Sequence, residues 1–203
     1  MKKLLMVLLL ALVVGGVYWK FFASKNNGPE EPKEAPITVK SHSEKFNEGI
    51  DSLMDAYFEI KDAFVDADTA KAKAATQQFI VLADSSRLFE LKQDTTRIYE
   101  SGIMMMNDIK LNAESLLQQH DITEMRQDFR MVGENIYPLL KTIHYEGKPL
   151  YLQNCPMAFG EDKGANWISK TFEVVNPYLG KNHPEFKGTM LHCGEVKDSV
   201  VAQ

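Results

Sequence analysis

From residue 44 to 143 the apolar residues recur every three or four positions, a spacing that restricts this stretch to amphipathic helices packed along one face. The first helix is expected over about 44–65, where Phe46, Ile50, Leu53, Met54, Tyr57, Ile60, Phe64 and Val65 share a side. Asp66 and Asp68 mark its end and offer a cap to the next helix. A second, alanine-rich helix over about 69–82 carries Ala70, Ala72, Ala74, Ala75, Phe79 and Leu82. Alanine has the highest helix propensity, and its small side chain lets neighbours approach closely. Asp84-Ser85-Ser86 reads as a turn. The third helix covers about 93–119 through Ile98, Ile103, Met106, Ile109, Leu116 and Leu117, with Gly102 as its weak point. The fourth opens on Asp121-Ile122-Thr123-Glu124, a capping-box pattern with Asp as the cap, and continues through Met125, Phe129, Val132, Ile136, Leu139 and Leu140. Pro138 is expected to kink or shorten it. Four such helices with short connections predict a mainly α fold, an up-down four-helix bundle over 44–143.

The pattern changes after Ile143. Pro149-Leu150-Tyr151-Leu152-Gln153 reads as a short strand, and the rest of 144–203 is dominated by Gly, Pro, Asn and aromatics. This predicts an irregular cap with short strands, packed on the helices by Trp167 and Tyr178.

The N-terminus points to a compartment. Lys2 and Lys3 precede an apolar run from Leu4 to Trp19, extended past Lys20 by Phe21, Phe22 and Ala23. A basic start followed by such a run is an export signal, cleaved as a peptide or retained as an anchor. The aromatic residues fit an interfacial belt, which favours an anchor in the inner membrane over residues 4–23. No cysteine lies near it to carry a lipid. Residues 1–25 are therefore read as the signal or anchor and 26–43, with Pro29, Pro32 and Pro36, as a flexible linker. The soluble part is expected in the periplasm.

Charge narrows the partners. The formal net charge is −5, yet Lys2, Lys3, Lys20 and Lys25 fall in the first 25 residues with no acidic residue among them. The remainder sets 19 basic residues against 28 acidic ones, which disfavours nucleic acid.

Both cysteines lie in the cap, each with a methionine close by: Cys155 with Met157, and Cys193 with Met190 and His192. Thiolates and thioethers are soft ligands that select Cu(I) and related ions. The competing reading is a disulfide, the usual fate of two cysteines in an exported protein. A Cys155–Cys193 bridge would close a separation of 38 residues, a staple worth roughly 4 kcal/mol in the loop-entropy model. Met104-Met105-Met106 cannot act as one ligand face, because neighbouring helical residues point about 100° apart. His42, His144 and His183 show no ligand spacing and are expected to be solvated; His120 is expected near a helix C-terminus, where a cation is favoured. No haem, zinc-hydrolase, nucleophile-elbow or phosphate-loop motif is present, so no enzyme is expected.

These residues resemble a known family. Tyr151-Leu152-Gln153-x-Cys155-Pro156-Met157-Ala158, Gly164-Ala165-x-Trp167-Ile168-Ser169, Asn176-Pro177-Tyr178-x-Gly180 and Met190-x-x-Cys193-Gly194-Glu195-Val196 look like an uncharacterised envelope domain. That domain occurs free-standing or at the C-terminus of periplasmic adaptor subunits of copper/silver efflux pumps. Tyr57-Phe58-x-Ile60-Lys61-Asp62-Ala63-Phe64-Val65 resembles its opening, so the resemblance covers about 46–200. It implies a heavy-metal context with copper the leading ion. It carries Cys155, Met157, Met190 and Cys193 over as ligands, with an efflux adaptor or another envelope protein as partner. The stretch Lys181 to Gly188, with His183, is longer than that pattern and alters the approach to Met190. Two functions follow as expectations: a copper-binding envelope module, or a disulfide-stapled interaction domain that binds no metal.

Overall fold

The computed structural model describes residues 18, 42–93 and 97–201. The expected anchor and linker fall outside them, apart from Tyr18, His42 and Ser43. Among the described residues no helix is long and apolar enough to cross a membrane.

Among the described residues the chain is mainly α, with four helices followed by a small antiparallel sheet. Helix α1 spans Glu44–Val65 and begins where Ser43 Oγ accepts the Phe46 N–H at 3.1 Å. Helix α2 spans Thr69–Asp84, capped by Asp68 accepting from Lys71 N–H at 2.9 Å. Helix α3 spans Ile98–Gln118 and α4 spans Ile122–Thr142. Asp121 caps α4 through the N–H groups of Thr123 and Glu124, at 2.8 and 3.3 Å. These side chains satisfy amide donors that a first helical turn leaves unpaired. Neighbours in sequence pack on one another: α1 on α2, α2 on α3, α3 on α4.

Two helix expectations are corrected. The third helix starts at Ile98 rather than Gln93, because Leu88–Gln93 forms a separate 3₁₀ turn that buries Leu88 and Leu91. The fourth is not cut short by Pro138 and runs on to Thr142. Leu139, Leu140 and Ile143 beyond it are each at most 1% exposed, and their burial outweighs the backbone bond that proline forfeits. Of the three consecutive methionines, Met106 is core and Met104 is exposed.

The cap contains more regular structure than the sequence suggested. Strands β1 (Leu150–Cys155), β2 (Ala165–Ser169) and β3 (Glu195–Val200) form a sheet in the order β2-β1-β3. Both pairings are antiparallel, and a bulge between Leu152 and Gln153 shifts the β3 register. The cap and the helices share one hydrophobic core.

An aromatic seam joins them. Tyr57 on α1 stacks on Phe129 of α4 at 5.0 Å, and Tyr178 lies 6.2 Å from Phe129 and 5.8 Å from Trp167. Tyr57 and Trp167 are fully buried, so the Tyr57 hydroxyl needs a partner; it accepts the Ile168 N–H of β2 at 3.1 Å. Burial raises the Tyr57 phenol above its ordinary value, so it stays neutral.

A second contact grips the C-terminal end of α1. Lys181 N–H donates to the Val65 carbonyl at 2.8 Å, Lys181 Nζ pairs with Asp66 at 2.7 Å, and Asn182 Nδ2 reaches the Asp66 carbonyl at 3.0 Å. Gly180 makes this possible, since a Cβ there would lie 2.3 Å from the Val65 carbonyl oxygen.

Gly180→Ala should therefore cost about 1–3 kcal/mol through forced backbone displacement. Tyr57→Phe should cost about 1–3 kcal/mol by leaving the Ile168 N–H buried without an acceptor. Equilibrium urea unfolding of the full-length chain measures both. Unchanged midpoints would mean that these two contacts do not hold the cap.

Candidate functional site

Cys155 is the last residue of β1, the central strand, and is 0% exposed. Its side of the strand also carries Gln153, equally buried, whose amide Nε2 donates to the carbonyls of Thr171, Phe172 and Glu173. Those bonds fix the chain that leaves β2.

Cys193 arrives from the opposite direction, just before β3. It is half-buried, and its thiol lies close enough to that of Cys155 to interact with it. A strand end and a loop 38 residues apart in sequence thus bring the two cysteines together, and both are free thiols in this structure. Burial pushes the Cys193 thiol up to about 12, helped by the neighbouring Cys155 thiol.

Asn176 places Cys193. It is 0% exposed, and its Oδ1 accepts the N–H groups of Tyr178 and Leu179 at 2.8 and 3.0 Å. Its Nδ2 donates to the Cys193 carbonyl at 2.8 Å, and its backbone N–H to the Leu191 carbonyl at 2.8 Å. One buried amide thereby ties the Asn-Pro-Tyr turn to the cysteine loop. Gly194 completes the approach. Its φ is +139°, and a Cβ there would lie 2.6 Å from the Asn154 carbonyl oxygen, so only glycine lets this loop meet β1.

The other residues singled out by sequence are placed differently. His192 is exposed, and its Nδ1 lies 2.7 Å from the Val174 carbonyl. Among the described residues no three His, Cys, Asp or Glu side chains form a metal-holding group, so His192 does not join the thiols. Met190 is half-buried against the core, and its carbonyl accepts the Cys193 N–H at 2.9 Å. Met157, 40% exposed, lines a cavity bounded also by Arg126, Phe159 and His183.

Two histidines are less solvated than expected. His42 Nε2 lies 2.6 Å from the Ile143 carbonyl, with its ring 4.3 Å from Phe46. His183 is half-buried and 5.0 Å from Phe186. Asn176, Gln153 and Arg126 were not anticipated as site residues. Arg126 carries the one available signal, a charged residue in phase with Ile122, Phe129 and Gly133 on the buried side of α4.

Residues 53–148 match the model of a family described as a protein of unknown function, DUF3347. The matched stretch ends before β1 and both cysteines. No curated protein and no solved structure matches the chain.

The shielded thiol sets a pH dependence. Only the thiolate attacks an alkylating reagent, so the rate at Cys193 should rise about tenfold per pH unit between about pH 7 and pH 10. Asn176→Ala should free the loop and speed alkylation at neutral pH. Iodoacetamide kinetics followed by mass spectrometry would read both; a flat profile would mean that the thiol is not held in its raised, protonated state.

Proposed function

We propose that this chain is an envelope module that captures a soft monovalent metal ion, copper(I) first, at the Cys155–Cys193 pair, and serves metal efflux or homeostasis. The observation that carries the reading is the proximity of two free thiols that stand far apart in sequence. Thiolates favour Cu(I) over harder ions. Among the described residues the pair has no third His, Cys, Asp or Glu beside it, which suits an ion content with few soft ligands better than zinc, which takes four. Met190, next in the chain to Leu191-His192-Cys193, and Met157 supply thioethers for a further ligand. The protein is read as a binding module and not an enzyme. Its helices act as an up-down bundle that presents the cap, with the N-terminal segment anchoring it to the inner membrane and the domain in the periplasm. An efflux-pump adaptor is the partner this reading suggests.

Binding must displace a proton from Cys193, whose folded pKa of about 12 lies above working pH. Apparent affinity should then rise by about a factor of ten per pH unit for that proton alone. Titration of the reduced full-length chain with Cu(I) against a chromophoric chelator tests this. One equivalent should bind, and a Cys155→Ala/Cys193→Ala variant should lose it. Equal competition by both proteins would end the metal reading.

The same sulfur contact supports a second reading, a disulfide-stapled domain that docks on an envelope partner and binds no metal. Complete burial of Cys155 favours it, because a buried thiolate is costly while a bridge is neutral. A thiol count on protein isolated from the periplasm separates the two. No free thiols supports the staple, and two free thiols support the ion site.

A further inference from the structure

A cavity of about 420 Å³ opens between the first turns of α4, the turn after β1 and the segment 178–186. One wall is Arg126, 3% exposed. One of its Nη atoms donates to the Phe64 carbonyl at 2.8 Å, while its Nε is buried without a hydrogen-bond partner. None of the ion pairs among the described residues includes it. Burial lowers its pKa to about 10, and the more distant Asp121 opposes this, so the guanidinium remains charged at neutral pH.

A buried charge without a counter-ion is costly, and the planar guanidinium fork matches a carboxylate. Two neighbours add to this. Thr123 and Gln127 line the cavity from the start of α4, where the helix dipole is positive. His183 Nδ1 accepts the N–H groups of Glu185 and Phe186, both at 3.3 Å, which puts the ring proton on Nε2. Burial, with the charge of Arg126, lowers the His183 pKa, so the ring is a neutral donor. The other walls include Phe159, Leu179 and Phe186.

We propose that this cavity binds a monocarboxylate with an apolar body, its carboxylate on Arg126 and its apolar part against Phe159 and Phe186. Glu161 and Glu185, both exposed, stand among the lining residues. They oppose a second negative charge, which sets a monocarboxylate above phosphate. A free organic acid and a peptide C-terminus share this chemistry. Neither cysteine lines the cavity, and Met157 is the one residue it shares with the candidate thiol site.

The test is calorimetric titration of the full-length chain with 3-phenylpropionate, its neutral amide, inorganic phosphate, and a short apolar peptide with free or amidated C-terminus. The acid should bind, the amide should not, and phosphate should be weaker. The free-ended peptide exceeding the acid assigns the carboxylate to a peptide; the reverse assigns it to a free acid. Arg126→Met should weaken binding about tenfold or more. Arg126 also holds the Phe64 carbonyl, so the exposed Gln127→Glu serves as a fold-neutral companion and should weaken binding severalfold. Equal binding of acid and amide, tighter phosphate, no binding of any carboxylate, or unchanged affinity in Gln127→Glu would overturn the proposal.

Discussion

The cap depends on the seam where Tyr57, Phe129, Trp167 and Tyr178 meet. Strands of six, five and six residues cannot hold together alone in water; they need an apolar surface to lie on. Helices α1 and α4 supply that surface, and the hydroxyl of Tyr57 turns the contact from greasy to specific. An aromatic ring alone would tolerate sliding. The bond to the Ile168 N–H fixes where β2 stops, and β2 then fixes β1 through Tyr151 opposite Ser169 and Cys155 opposite Ala165. The placement of a cysteine is thus inherited from a tyrosine nearly a hundred residues earlier.

The helices were legible because their information is local. Apolar residues at three- and four-residue steps, and Asp or Ser just before each run, carry the periodicity and the caps without reference to the rest of the chain. What failed there was competition between local and distant terms. Pro138 is a breaker by itself, yet Leu139, Leu140 and Ile143 find a core beyond it. Strands β2 and β3 were not legible. Ala165 to Ser169 and Glu195 to Val200 are short, and β3 is largely exposed, so neither shows clean alternation. Their pairing with β1 is a long-range property that periodicity does not encode.

The pairing of Cys155 with Cys193 was legible only as an expectation, since no spacing rule brings two loops together. The motif around them reads differently once folded. Asn176 is a hydrogen-bond hub, Tyr178 is core, Gly180 makes room for the end of α1, and Gly194 makes room for β1. Each has a packing task that would be needed whatever the domain does. The cysteines are the members of that set which packing does not require, since a small apolar residue would fill the same space.

The two sulfurs are held with unequal firmness. Cys155 belongs to a strand flanked on both sides and cannot move without dragging the whole sheet. Cys193 hangs on a loop whose attachments are one asparagine amide and a few turn bonds. Any change in the distance between them, by oxidation or by a guest, must be taken up on the loop side, as in a vice with one fixed jaw. The sliding jaw is continuous with the stretch from Val174 to His192, so the state of the sulfurs would be visible on the outer surface of the cap, where another molecule could read it.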